Sequence, residues 1–257
     1  MKHNLISFFT IGHPTDRAKD FRLIAEKFNS EFSKHFDKIK LYNSSDFIND
    51  TFFMEHVINY IPPKLSTSLP YPQEHNRGIN HAYWRWKPYI IAKALNEMNF
   101  GEILIYQDIN VERYPNFLID IENYKENVEH LFNNLNNDVL VATEDINLHC
   151  EKHVKSEIFE KIGFNNKNYR KFPLLHANRI FIRKSNTSVL FINEWLDYCK
   201  TDLILPEDSK ESNLKWSTHD QAILTVLYKK YIELQIFNNR TFKLNNFVFS
   251  KKNIIFL

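Results

Sequence analysis

The stretch Glu102-Ile103-Leu104-Ile105-Tyr106-Gln107-Asp108-Ile109-Asn110 decides the fold. A near-continuous apolar run that ends in a polar turn reads as a buried strand of an open α/β sheet. In such sheets ligands bind beyond the carboxyl ends of the strands, so Asp108 and Asn110 stand where a site is expected.

Upstream, Leu5 to Ile11 is a second short apolar run, closed by Gly12 and Pro14, and reads as a strand and a turn. Residues 16–32 carry Phe21, Ile24, Ala25, Phe28 and Phe32 at helical spacing. Ile39 to Tyr42 is the next strand, ended by Asn43-Ser44-Ser45-Asp46, so the chain opens with a βαβ unit. Residues 61–77, with Pro62, Pro63, Pro70 and Pro72, read as an ordered loop over a cleft. A helix then starts near Pro88, buries Ile91, Ala94, Leu95 and Met98, and ends at Gly101.

Downstream the alternation continues. Helices are predicted from Pro115 to about Leu135, over 151–162, from Thr187 to Cys199 and from Thr218 to Tyr231. Strands are predicted from Asp138 to Thr143, from Leu174 to Arg183, and in the tail after Glu233. No internal repeat interrupts this order. The expected fold is one α/β domain over residues 1–257, a Rossmann-related mixed sheet flanked by helices.

Composition narrows the function. The 257 residues hold 33 Lys and Arg against 31 Asp and Glu, a net charge of +2, which argues against nucleic acid as the main partner. Hydrophobic residues at 43% and charged residues at 25% suit a globular domain. With only 4 Gly the chain has neither GxGxxG nor GxxxxGK[ST], so a nucleotide must be held by other means. The 22 Phe and 12 Tyr fit the codon bias of an AT-rich genome, which lowers the weight of any one aromatic. Cys150 and Cys199 stand apart and read as free thiols of a reducing cytosol. No segment has the length of a spanning helix or the form of a signal peptide, so a cytoplasmic protein is expected.

Three segments could carry chemistry. Asp108 offers a hard anionic oxygen and Asn110 a neutral one, two residues apart in a turn, which can hold a divalent cation and through it a diphosphate. The plain alternative is a turn that caps the strand. Arg77-Gly78-Ile79-Asn80-His81-Ala82-Tyr83-Trp84-Arg85-Trp86-Lys87-Pro88 brings cations and aromatics to a helix start, a chemistry for phosphates and for stacking. The alternative there is an aromatic helix entry in the core with its cations snorkelling outward. In Trp216-Ser217-Thr218-His219-Asp220-Gln221, Ser217 or Thr218 can cap a helix with Asp220 in its first turn, as a dipole partner or a general base. His149 and His153 have i, i+4 spacing without an HExxH glutamate, and read as solvated helix residues rather than a zinc pair.

Taken together, Tyr83-Trp84-Arg85-Trp86-Lys87-Pro88-Tyr89-Ile90-Ile91, Ile103-Leu104-Ile105-Tyr106-Gln107-Asp108 and His219-Asp220-Gln221-Ala222-Ile223-Leu224 resemble bacterial capsule or lipooligosaccharide glycosyltransferases of the GT-A type. The resemblance implies a single-domain GT-A-like fold, with a donor half over about 1–112 and an acceptor half over about 113–257. It implies a nucleotide-diphospho-sugar donor, a glycan or glycolipid acceptor and assistance by Mn²⁺ or Mg²⁺. Asp108 would be the metal-binding residue of a DxD-like motif in which Asn110 replaces the second acid. Thr10 and Ile11 at the end of the first strand, Arg77, His81, Tyr83, Trp84, Lys87, Tyr106 and Gln107 would line the donor, with His176 and Asn178 near its sugar. Asp220 would be the base for the acceptor hydroxyl. Glu144, Asp145, His219 and Gln221 would face the acceptor, the first two also as second candidates for the base. Asn110 also keeps open a non-catalytic nucleotide- or carbohydrate-binding protein of degenerate transferase fold, and a nucleotidyl or phospho-group transferase is a third reading. The tail 249–257 mixes cations and apolar residues, and reads as a final core strand or as a peripheral contact with the inner membrane face.

Overall fold

The structure is a computed structural model that describes residues 2–9, 21–58, 82–109, 123–143, 148–163, 169–205, 219–244 and 254–257. Its strands are β1 (His3–Phe9), β2 (Lys38–Asn43), β3 (Ile103–Gln107), β4 (Val139–Thr143), β5 (Leu175–Arg183), β6 (Phe242–Leu244) and β7 (Ile254–Phe256). They form one seven-stranded sheet in the order β2-β1-β3-β5-β4-β6-β7. β2, β1 and β3 are mutually parallel, β5 is antiparallel to both β3 and β4, β4 is parallel to β6, and β7 closes the edge antiparallel to β6. The carboxyl ends of β1, β2, β3, β4 and β6 therefore share one sheet edge, and β5 begins there.

The helices that matter for the site are α1 (Phe21–Phe32), α2 (Trp86–Asn96), α3 (Tyr124–Leu135), α4 (Ser156–Ile162), α5 (Asn186–Cys199) and α6 (His219–Glu233). Strand alternation divides the core between two layers. Ile103 and Ile105 of β3 pack toward α1 and α3, with Phe28, Phe32, Val128 and Leu131. Leu104 and Tyr106 pack toward α2, α4, α5 and α6, with Ile90, Ile91, Phe159, Trp195, Ile223 and Leu227. A strand covered on both faces needs an unbroken apolar run, which is why this segment reads so clearly. Trp86 stacks on Phe8 of β1 at 4.4 Å and so pins the first turn of α2 over the carboxyl half of β1.

Several predicted bounds change. α2 ends at Asn96, and Gly101 instead takes φ 85° in the turn into β3, where its N–H donates to the Lys184 carbonyl at 2.9 Å. The helix predicted over 151–162 is broken by extended Val154 and Lys155 into Cys150–His153 and α4. The tail strand begins at Phe242 because α6 runs on to Glu233. Of the last segment, Ile254 is buried while Ile255, Phe256 and Leu257 are exposed, so it is an edge strand with one foot in the core. Cys150 and Cys199 are buried free thiols. Among the described residues no helix is long and apolar enough to cross a membrane.

Candidate functional site

Asp108 stands directly beyond β3 on the edge where the carboxyl ends meet. Its N–H donates to the Asn178 carbonyl of β5 at 2.8 Å, which ties the turn to the antiparallel neighbour. The Tyr106 hydroxyl donates to Asp108 Oδ1. Lys87 Nζ, from the first turn of α2, lies 3.7 Å from the same oxygen. Lys87 Nζ also lies 3.1 Å from Asp220 Oδ2, in the first turn of α6. The three charges form a line, Asp108–Lys87–Asp220, that runs inward from the edge.

Exposure grades along that line. The side chain of Asp108 is 31% exposed, those of Lys87 and Asp220 only 5% and 6%. An ammonium buried this far needs partners on several sides. Lys87 has two carboxylates, and its Nζ lies 5.5 Å from the Tyr106 ring centroid and 5.9 Å from that of Trp86. Burial pushes the Asp220 carboxyl up to about 6, Asp108 adds to the rise, and Lys87 opposes it. The Lys87 ammonium at 3.1 Å favours the charged form of Asp220, and the exposed end of the line is Asp108.

The segments that present these residues are tightly held. The Trp195 indole N–H donates to the Asp220 carbonyl at 3.1 Å, and the Gln221 amide donates to the Leu175 carbonyl at 2.7 Å. A His219 ring nitrogen lies 3.1 Å from the Ile204 carbonyl. His219 also touches Tyr83 and Trp84, with ring centroids 5.1 and 5.5 Å apart. All three aromatics adopt left-handed backbone conformations, with φ of 52° at Tyr83, 60° at Trp84 and 49° at His219. Each costs on the order of 1–3 kcal/mol for a bulky residue, and such strain gathers at functional sites. Tyr83 is buried, whereas Trp84 is half-buried and stacked over His219.

The sequence-derived residues divide clearly. The structure brings Trp84, Lys87, Tyr106, Asp108, His219 and Asp220 together. Gln107 is buried, and accepts from Arg179 Nε at 2.7 Å while donating to the Asp108 carbonyl at 3.0 Å, so it holds the turn from behind. His176 and Asn178 are half-buried on β5, Asn178 beside Asp108 through the backbone. Gln221 has its amide N–H on β5. Thr10, Ile11, Arg77, His81, Asn110, Glu144 and Asp145 lie outside the described residues. Two cations of the helix entry do not snorkel: Arg85 is 1% exposed and donates to the Thr201 carbonyl at 3.3 Å, and Lys87 is similarly enclosed. His153 is buried as well, so the expectation of solvated helix histidines fails for it. Arg179 and Trp195 are supports that sequence reasoning missed. A guanidinium inside the predicted strand Leu174 to Arg183 was the available signal, since a buried cation demands partners.

A divalent cation fits this arrangement in one form. Among the described residues no group of three His, Cys, Asp or Glu could hold a metal ion. Asp108 offers one partly exposed carboxylate whose neighbouring ammonium is balanced by Asp220. One carboxylate plus substrate phosphates and water is a usual binding mode for Mg²⁺. The donor set thus fits an ion that arrives with a diphosphate rather than one held by protein alone. No family model, characterised protein or solved structure matches the chain.

Proposed function

We propose that the protein is a glycosyltransferase that moves a sugar from a nucleotide-diphosphate donor to a glycan or glycolipid acceptor of the capsule or lipooligosaccharide kind. The observation that carries this reading is the partly exposed carboxylate of Asp108 beyond the central strand, which accepts from the Tyr106 hydroxyl and has Lys87 Nζ 3.7 Å away. Such a carboxylate suits a sugar or a cation-bound diphosphate, its oxygens accepting hydroxyl protons or meeting the cation. The GT-A character of the sheet belongs to the same proposal.

The reaction breaks the bond between the anomeric carbon and the diphosphate, and forms one to the acceptor oxygen. Asp108 would hold a Mg²⁺ or Mn²⁺ ion brought by the donor, which supplies positive charge to the departing diphosphate. Negative charge on the site edge also favours the electron-poor anomeric centre. Trp84 orients the donor by stacking. The acceptor hydroxyl must lose its proton to a carboxylate. Asp220 is enclosed and bound to Lys87, so we give that task to the acids that follow β4, Glu144 and Asp145.

The test is product analysis. Incubation with UDP- and GDP-sugars and a glycan acceptor should release a nucleoside diphosphate in step with glycosylated product. Release of a nucleoside monophosphate and a phosphorylated acceptor would mean phospho-group transfer. Binding without release would favour the non-catalytic reading, which Asn110 in place of a second acid supports.

A further inference from the structure

The innermost charge of the line has a role that its position, rather than its chemistry, dictates. Asp220 lies 3.1 Å from Lys87 Nζ, closer than the 3.7 Å that separates Lys87 from Asp108. Its side chain is about as enclosed as that of Lys87, while Asp108 is the member open to solvent. Its backbone carbonyl is held by Trp195 and the next residue is anchored to β5, so the carboxylate has little freedom to swing outward. The groups facing it are Lys87 and, through space, Asp108, and the nearby Cys199 thiol feels the charges of Asp220, Arg85 and Lys87.

We propose that Asp220 is a positioning and charge-balancing residue: it occupies Lys87, so that Asp108 keeps a full negative charge for the cation and diphosphate of the donor. The inference rests on the transferase reading above. Without Asp220, the Lys87 ammonium would lose its nearer carboxylate and turn its charge on Asp108, where it would repel an incoming cation. With both Asp220 and Lys87 neutral, that ammonium is gone and Asp108 keeps its own charge for the cation. Loss of a residue that acts only as the acceptor's base would leave pyrophosphate binding unchanged.

The probe is inorganic pyrophosphate, the group that nucleotide-diphosphate donors share, titrated by calorimetry with and without Mn²⁺ on the full chain. Electron paramagnetic resonance of free Mn²⁺ gives an independent count of bound metal. Asp220→Asn should weaken Mn²⁺-dependent pyrophosphate binding about tenfold, the scale of one nearby charge in a partly exposed site. Lys87→Met/Asp220→Asn should restore it to within about threefold of wild type, because two coupled charges are removed together. Circular dichroism and a melting curve accompany each variant. If Asp220→Asn alone does not fold, the double variant still decides, since the account requires it to bind as wild type does. Equal binding by wild type and Asp220→Asn, or loss of binding in the double variant, overturns the charge-balancing role. Failure of the wild-type protein to bind Mn²⁺ with pyrophosphate overturns the transferase reading itself, and the inference with it.

Discussion

The two ends of α2 carry similar charges in opposite settings. At its first turn Lys87 is buried between Asp108 and Asp220. At its far end Glu97 meets Lys40 at 3.0 Å and Lys38 at 3.9 Å, all of them substantially exposed. These exposed pairs rim a cavity of about 340 Å³ that Asn4, Tyr42, Met98 and Leu104 also line, at the amino edge of the sheet. Exposed pairs contribute about 0–1 kcal/mol and are lightly constrained. Burying an ammonium with two carboxylates is costly unless every partner is in place. The comparison teaches that charges of the same kinds are held tightly at the carboxyl edge of the sheet and loosely at the amino edge, where the cavity lies.

The largest expected effect breaks the buried line at its centre. Lys87→Met leaves Asp220 enclosed without its cation, and urea denaturation at pH 7 should show a loss of about 3–5 kcal/mol. Next comes Asp108→Ala, which removes the exposed carboxylate. It should lower turnover about 10²- to 10³-fold, and lower the melting temperature less than Lys87→Met does, since Lys87 keeps its nearer partner Asp220. Trp84→Ala should weaken donor binding about tenfold by removing one stacking face, as read by calorimetry. A subtler effect appears with pH. The Asp220 carboxyl, about 6 in the fold against an ordinary 3.8, contributes stability that is whole below about pH 4 and is lost as pH rises through 6. Asp220→Asn lacks that titration, so denaturation at pH 4, 5, 6 and 7 should show its stability relative to wild type improving as pH rises. The smallest effect belongs to the other end of α2. Lys40→Met should change stability by about 1 kcal/mol or less and leave donor binding as it was.

Much of the fold was legible because the period of the apolar residues is unambiguous where both faces of a strand are covered. Ile103 to Tyr106 and Val139 to Ala142 read as strands for that reason. The helical stripes of α1, α5 and α6 follow from Phe28 and Phe32, from Trp195 and Leu196, and from Ala222, Ile223 and Val226. The insertion of β5 antiparallel between β3 and β4 was not legible, since strand direction and order arise from packing among distant segments. The breaks at Val154 and Lys155 were missed because the apolar spacing alone continues through them. At the site, Asp108, Lys87 and Asp220 were visible as chemistry, but their union was not. Residues 87, 108 and 220 meet only because two helix starts and one strand end share an edge. Nor do Tyr83, Trp84 and His219 announce left-handed backbone, a conformation usually signalled by glycine. The resemblance to transferases singled out segments that the fold brings to one edge, while the enclosure of Lys87 and Asp220 needed the fold.

The most direct test of the central claim is a thermal-shift comparison of UDP, GDP, CDP and CMP, each with and without Mn²⁺, on the wild-type protein and on Asp108→Asn. Binding to the native state alone raises the melting temperature by mass action. The account predicts that one nucleoside diphosphate stabilises the wild-type protein, more so with Mn²⁺, and that Asp108→Asn loses the Mn²⁺ increment. Stabilisation by no nucleotide, or an equal Mn²⁺ increment in both proteins, would contradict it.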